Sequence, residues 1–522
     1  MNIHCPQTIE AQSEARNIMA VKYQIVSPQS NRPVMSVIQD ALLGAFLLTA
    51  PGVVLDRTTM MHCVLCIPDW NGQFEQKDRY TGHDLVSMVL PVVNWSRRGV
   101  VIRHGVLVEG QLTKDTLGTS HGSLIHVIYN DCGPDETILF IHRLQMITHA
   151  WLDMNGFTIG VTDVMTTPER SAIVKQEVAA SFRDVAGLDD EMRINQRLNQ
   201  CRDVTGRVVK EPLDERNGFF CTVKAGSKGS LPNIGQCMAS VGQQNLSGKR
   251  IPYTWTGRTL PHFKRGSNGP AERGFIQHSY CEGLDPHEVW WASISGREGI
   301  IDTACKTSTT GYLERRLMKA MENLSVRWDG SVRNSDSMLL QFAYGDDGFD
   351  PTKVEKQFVD YGRYGHYATE DADSEYEQLQ RDKEFLDSLD AWKDPGLRGT
   401  NAFMLPINVS RIVLNATTLF DMPSDALTRT EVMDMVSELV QSIDNEMLQC
   451  LIRYELYSLP LVMEKKITRD NMEVIVHEIK RQYERVRACK GESVGAIGAQ
   501  SIGEPATQST FLNLSFHSIL KS

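Results

Sequence analysis

Ser308, Tyr312, Arg315 and Lys319 stand at helical spacing and make a stripe of groups able to meet nucleic acid. A small residue admits a base closely, an aromatic ring stacks on one, and two cations meet phosphates. Lys306, Thr307 and Thr310 add short polar or cationic groups beside it. Taken singly, Arg315 or Lys319 reads as the solvated face of an ordinary amphipathic helix. The same helix carries an apolar stripe suited to packing, Leu313, Leu317, Ala320 and Leu324.

An ordinary amphipathic helix does not account for the middle of this one, GREGIIDTACKTSTTGYLERRLMKAMENL (296–324). Gly296, Gly299 and Gly311 each weaken a helix interior by about 1 kcal/mol relative to alanine. Thr303, Thr307, Thr309 and Thr310 are stiff at χ1 and crowd the preceding turn. A glycine inside a helix has a packing or functional reason, and these three predict a rod that bends. Its start is marked. Asp285 suits the N-cap, Pro286 the first helical position, and Glu288 completes a capping box. No proline follows before about Glu322, so roughly 37 residues form a rod of about 55 Å. A rod that long must cross between domains or lie across a cleft.

The chain that positions this rod has 522 residues, a net charge of −11, 41% hydrophobic and 23% charged residues. Such composition excludes a mostly disordered protein. The longest apolar run, residues 41–55, is broken by Pro51 and falls short of the ~20 residues of a membrane span. The first residues carry no apolar signal core. Eleven scattered cysteines argue for free thiols in a reducing compartment, and the protein is expected to be intracellular. His62, Cys63 and Cys66 have metal-like spacing, but no second Cys or His pair accompanies them, and small buried hydrophobes are the better reading. Residues 366–391 hold nine Asp or Glu against two Lys or Arg, a net of −7. They read as a solvated charged helix or insertion, and without them the body is near neutral.

The fold class expected is mixed α+β, predominantly α. Residues 1–30 look like the tail of a domain, and 31–180 mix helical periods with strand-like runs such as GVVIRHGVLVEGQL (99–112). Residues 181–224 are polar and helical, while 225–283 are rich in Gly and Ser and read as functional ordered loop. Toward the end, Met472, Ile475, Ile479, Tyr483 and Val486 recur at helix spacing.

Several stretches, in order, resemble the largest subunit of multisubunit DNA-directed RNA polymerases, most nearly the RNA polymerase II type, cellular or from a large DNA virus. LPHF (260–263), GFIQHSY, GLDPHEVWWASISGREGIIDTACKTSTTGYLERRLMKAMENL and VRNSDSMLLQFAYGDDGFD resemble its bridge-helix region. AGSKGSLPNIGQCMASVGQQ resembles the funnel, and GESVGAIGAQSIGEPATQ (491–508) the helix leading into the trigger loop. The resemblance implies a tail of the active-site domain (1–30), a pore domain (31–180), a funnel domain (181–283) and a bridge helix (284–324). A cleft region with the acidic insertion (325–490) and the start of the trigger loop (491–522) would follow.

The same resemblance implies roles. Thr307 and Ser308 match positions beneath the active-site base pair, where the family usually has Ala in place of Ser308. Lys306, Tyr312, Arg315 and Arg316 match positions facing template or backbone. Gly296, Gly299 and Gly311 become the hinges of a helix that bends during translocation. Gly226, Ser227, Lys228 and Gly229 fall near the nucleotide entry channel, although glycine spacing alone is weak evidence for phosphate binding. In QSTFLNLSFHSILKS, the residues Gln508, Asn513 and His517 match the catalytic trigger loop, the His helping to position or protonate the incoming phosphates. The match needs two residues more between Gln508 and His517 than the family has, and the alternative reading is that 509–522 is unrelated read-through past a gene boundary.

The family holds its catalytic Mg²⁺ in an Asp-Phe-Asp-Gly-Asp loop, which is absent from these 522 residues. The metal ligands are therefore expected outside this chain, as in one piece of a split gene, a frame bounded by introns or inteins, or a partial sequence. Asp346, Asp347 and Asp350 of YGDDGFD could hold a hard cation, but an acidic structural turn is the better reading. The expected activity is DNA-templated RNA synthesis from NTPs by a complex, the chain alone being inactive. Its partners would be the remainder of the largest subunit, the second-largest and smaller subunits, template DNA, transcript and NTPs. It would sit in the nucleus if cellular, and in host cytoplasm, nucleus or virion if viral. The alternative is a noncatalytic paralogue binding nucleic acid or polymerase subunits.

Overall fold

Two-residue turns fold the strand-like run near residue 100 into a three-stranded antiparallel meander, Trp95–Arg97, Val100–Arg103 and Val106–Glu109. Arg98–Gly99 and His104–Gly105 make the turns, all four with positive φ, as a tight hairpin demands. Gly105 is required twice over, because a Cβ there would lie 2.7 Å from the Pro91 carbonyl oxygen. The computed structural model describes residues 3–70, 72, 75–211, 213–214, 216–358, 374–389, 402–419 and 427–508. Asn513, His517 and residues 366–373 and 390–391 of the acidic stretch lie outside them. The described chain is mixed α+β and predominantly helical, its strands confined to sheets of two or three. Among the described residues no helix is long and apolar enough to cross a membrane.

The chain forms two compact units, each assembled from separated stretches. One comprises Met1–Val37, Ala45–Ala150 and Glu322–Ile497. Its helical core joins Ile412 and Val413, Val432 and Leu439, and Leu448 and Ile452 to the predicted stripe Met472, Ile475, Ile479, Tyr483 and Val486, all buried. A buried cation ties its early and late stretches together. Arg411 grips Glu355 with two nitrogens, at 2.6 and 2.8 Å, and donates to Asp131 at 2.9 Å. Asn130 donates to Glu355 and Asn415 to Asp131, so the remaining carboxylate valences are met. Burial pushes the Glu355 carboxyl up, but the Arg411 charge and its hydrogen bonds hold it below its ordinary range. For Asp131 burial prevails and the pKa is raised.

The described part of the acidic stretch is a helix, Ser374–Ser388. It is not simply solvated as expected. Leu379 and Leu386 are buried with Leu451 and Tyr454, and the buried Asp382 accepts from Arg453 at 2.6 and 2.8 Å. Every third or fourth residue faces the protein while the charges between face water, which a count of net charge does not register.

The other unit comprises Ile38–Gly44, Trp151–Met321 and Gly498–Ser522. Helices Pro168–Val185 and Glu191–Lys210 pack through Val178, Val185, Ile194, Leu198 and Cys201. The second crosses helix Leu231–Met238 at paired glycines, where a Cβ on Gly235 would lie 3.1 Å from the Gly206 Cα. Strands Gly242–Gln243 and Phe275–Ile276 pair antiparallel. Val241, Ile251, Ile276 and Trp291 form the small core that receives the start of the long helix.

Candidate nucleic-acid interface

The long helix is continuous from Pro286 to Met321, 36 residues, or about 54 Å at 1.5 Å per residue. The capping role of Glu288 is present. Its carboxylate accepts the Asp285 amide at 3.1 Å, the Gln277 amide at 2.9 Å and His278 Nδ1 at 2.8 Å. Burial pushes the Glu288 carboxyl up, but these donors more than offset it and keep it ionised below the usual range. Trp291, buried, donates its indole N–H to the Ala271 carbonyl and stacks on Phe263. The N-terminal end is therefore firmly held.

Beyond it the helix is nearly bare. Only Glu288, Trp291 and Thr310 are buried along its length. A Cβ added to Gly296, Gly299 or Gly311 would meet no atom within 4 Å, so close packing does not explain these glycines. The threonines weaken the rod in a second way. Thr303 donates to the Gly299 carbonyl, Thr307 to Thr303, Thr309 to Cys305 and Thr310 to Lys306, each one turn back. Such back-bonding loosens the backbone ladder and favours bending.

The predicted apolar stripe is mostly not used. Leu313 and Leu317 are half-buried and Ala320 is exposed. The helix ends at Met321, so Leu324 has left it and packs with Val326, Val332 and Val494. The other stripe is exposed throughout. Ser308, Tyr312, Arg315 and Lys319 lie within about 60° of one another at 3.6 residues per turn. Arg316 joins them by placing its guanidinium 4.6 Å from the Tyr312 ring centroid. Lys306 does not join them, because nine residues before Arg315 is two and a half turns, the opposite side. It is half-buried there, near the buried Thr310. Thr307 is exposed about 100° from Ser308, its hydroxyl proton committed to Thr303. Trp290, Arg297, Ile301 and Ala304, all exposed, continue the stripe toward the N-terminus. The continued spacing of three and four residues was the signal for them.

Gly226–Gly229 form a helix stop and a linker. Helix Gly218–Ala225 ends on Gly226, in the left-handed region at φ 76°, and Ser227 returns its amide and hydroxyl to the Thr222 carbonyl. Gly229, at φ 77°, leads to the next helix, and Lys228 is exposed. Gln508 is the last residue of helix Val494–Gln508. That helix approaches the long one through glycines: a Cβ on Gly498 would lie 3.1 Å from Met321 Cε, and one on Gly503 2.8 Å from Glu314 Cγ.

Mg²⁺ seeks open oxygen ligands in near-octahedral array, and among the described residues two carboxylates of the acidic turn are engaged by its own chain. Asp347 accepts the Phe349 amide, and Asp350 accepts the Thr352 amide and hydroxyl while meeting Lys353. Both thereby close the acidic turn. Among the described residues, the group His278, Asp285 and Glu288 has donors close enough for a metal, but Glu288 Oε2 already accepts the cap amide of Asp285 and His278 Nδ1, and Oε1 the Gln277 amide. At Cys63, burial pushes the thiol up to about 11, and Cys66 donates to the His62 carbonyl.

Three family models match in unbroken order. They are RNA polymerase Rpb1 domain 3 over residues 24–164, domain 4 over 166–276 and domain 5 over 283–519. The chain belongs to the RNA polymerase largest-subunit family. As a member it is part of a DNA-directed RNA polymerase, a nucleotidyltransferase complex that acts in transcription. The long helix falls wholly inside the domain 5 match. Membership implies assembly with other polymerase subunits, DNA and RNA.

Proposed function

We propose that Pro286–Met321 is the bridge helix of the polymerase and that its exposed stripe meets template and transcript as RNA is extended from NTPs. The observation that carries this reading is a rod with open space where its three glycines would carry a side chain and whose uncovered face carries Ser308, Tyr312, Arg315 and Arg316. Neither a packing helix nor a solvated one needs both features. Tyr312 offers a ring for stacking, and Arg315 and Arg316 offer charge to phosphate oxygens. Thr307 and Ser308 lie beneath the active base pair, while helix Val494–Gln508 leads to a trigger loop bearing Gln508, Asn513 and His517. Gly226–Gly229 border the nucleotide entry channel. The catalytic Mg²⁺ is held by residues outside these 522, so the chain alone is inactive.

The test is reconstitution. The chain is combined with the polypeptide carrying the aspartate loop and with the second-largest subunit, and Mg²⁺-dependent extension of a primed template is measured. Activity of the full set, and none without this chain, is the expected result. Binding of nucleic acid without extension by the complete set favours a noncatalytic paralogue instead.

A further inference from the structure

The hairpin Asn245–Leu246 and Lys249–Arg250 turns on Ser247 and Gly248, with φ of 50° and 76°. A two-residue turn with both φ positive suits Asn-Gly or Asp-Gly. Serine at the first position stores backbone strain. Something must hold it. The Glu298 carboxylate accepts both the Ser247 amide, at 2.8 Å, and the Ser247 hydroxyl, at 3.1 Å, through one oxygen. Glu298 sits on the long helix between Gly296 and Gly299. Beyond it, as far as Thr309, no side chain of the helix hydrogen-bonds another element among the described residues. From Gly299 to Thr309 every residue is exposed or half-buried, and the hydroxyl bonds there return to the helix itself. Past that span come the buried Thr310 and the seats of Gly503 and Gly498 on Glu314 and Met321.

We infer that the Ser247–Glu298 contact is a positioning clamp that sets the N-terminal limit of bending, confining it to residues 299–311. This rests on the bridge-helix reading above. Its physical basis is leverage. A charge-assisted pair of hydrogen bonds anchors the helix to a hairpin that is itself fixed by Leu246 in the Trp291 core. Gly296 then lies on the anchored side and bends only when the clamp opens, whereas Gly299 and Gly311 bound the free span.

The assembled polymerase is prepared with Glu298→Met, which keeps length and helix propensity but removes the acceptor, and with Glu298→Gln, which keeps a neutral acceptor. Amide hydrogen exchange across 296–311 is followed by mass spectrometry, with elongation rate alongside. Exchange at least threefold faster in the Met variant and largely restored in the Gln variant is expected. Unchanged exchange in the Met variant, or equal acceleration in both, overturns the clamp. If the Met variant does not assemble, Ser247→Ala, which deletes the hydroxyl donor alone, is read by the same criterion at a smaller effect. A twofold or greater fall in elongation is expected with the faster exchange. Faster exchange at unchanged elongation leaves the clamp standing and counts against the bridge-helix function instead.

Discussion

Arg316 lies over the ring of Tyr312, one helical turn away, with 4.6 Å between guanidinium carbon and ring centroid. Tyr312 is 62% exposed. The pair presents a flat, cationic platform on an exposed side of the long helix. Such a platform suits a base stacked above a phosphate, and the cation preorganises the ring.

Replacing Tyr312, Arg315 and Arg316 together by alanine should lower template-directed extension by the reconstituted enzyme at least tenfold, since stacking alone is worth about 1–3 kcal/mol per base. Loss of the two arginines should also flatten the salt dependence of template binding by up to two phosphate contacts. Filter binding over a salt series measures it. Extension at the parental rate would sink the interface.

Glycines on the two facing helices should respond with opposite sign. Gly299→Ala or Gly311→Ala adds a methyl to open space, so the helix gains about 1 kcal/mol, and elongation slows as the rod stiffens. Gly503→Ala pushes a methyl against Glu314 Cγ at 2.8 Å and should destabilise, with Glu314→Ala restoring part of the loss. Thermal unfolding and elongation assays on the same variants separate the two. Stiffening of the long helix without slower elongation would remove bending from the account.

His126 is 1% exposed, and its Nδ1 accepts the Gly122 amide. Burial pushes its pKa down to about 4 from 6.5. The unfolded chain therefore binds the proton first. Stability is full above pH 6.5 and falls by up to about 3 kcal/mol as the pH drops toward 4. Urea unfolding across that window should show the slope. His126→Gln, which keeps an acceptor for Gly122, should flatten it.

Arg411→Met should destabilise the unit that contains it by about 3–5 kcal/mol, because Glu355 and Asp131 are left buried and charged without their cation. Adding Glu355→Gln and Asp131→Asn should recover much of that loss. A chemical denaturation series on the single and triple variants checks this, and near-equal midpoints for the single variant and the parent would refute it.

The sequence by itself determined the parts whose causes are local. The long helix begins at Pro286 with Glu288 beneath its cap because capping chemistry spans three or four residues. Met472, Ile475, Ile479, Tyr483 and Val486 are buried together because one periodicity puts them on one face. The uncovered stripe Ser308, Tyr312 and Arg315 follows from spacing in the same way. Tertiary structure alone decided what meets across long separations. Residues 94–131 and 355–418 close around Arg411, Asp382 of an acidic helix is buried on Arg453, and Ser247 finds Glu298. No periodicity encodes those meetings, because each depends on how whole elements pack, and a side chain's environment is set by its neighbours in space. The glycines needed both sources. Their cost to a helix is intrinsic to the residue, but only the open space at Gly296, Gly299 and Gly311 shows that no packing contact requires them.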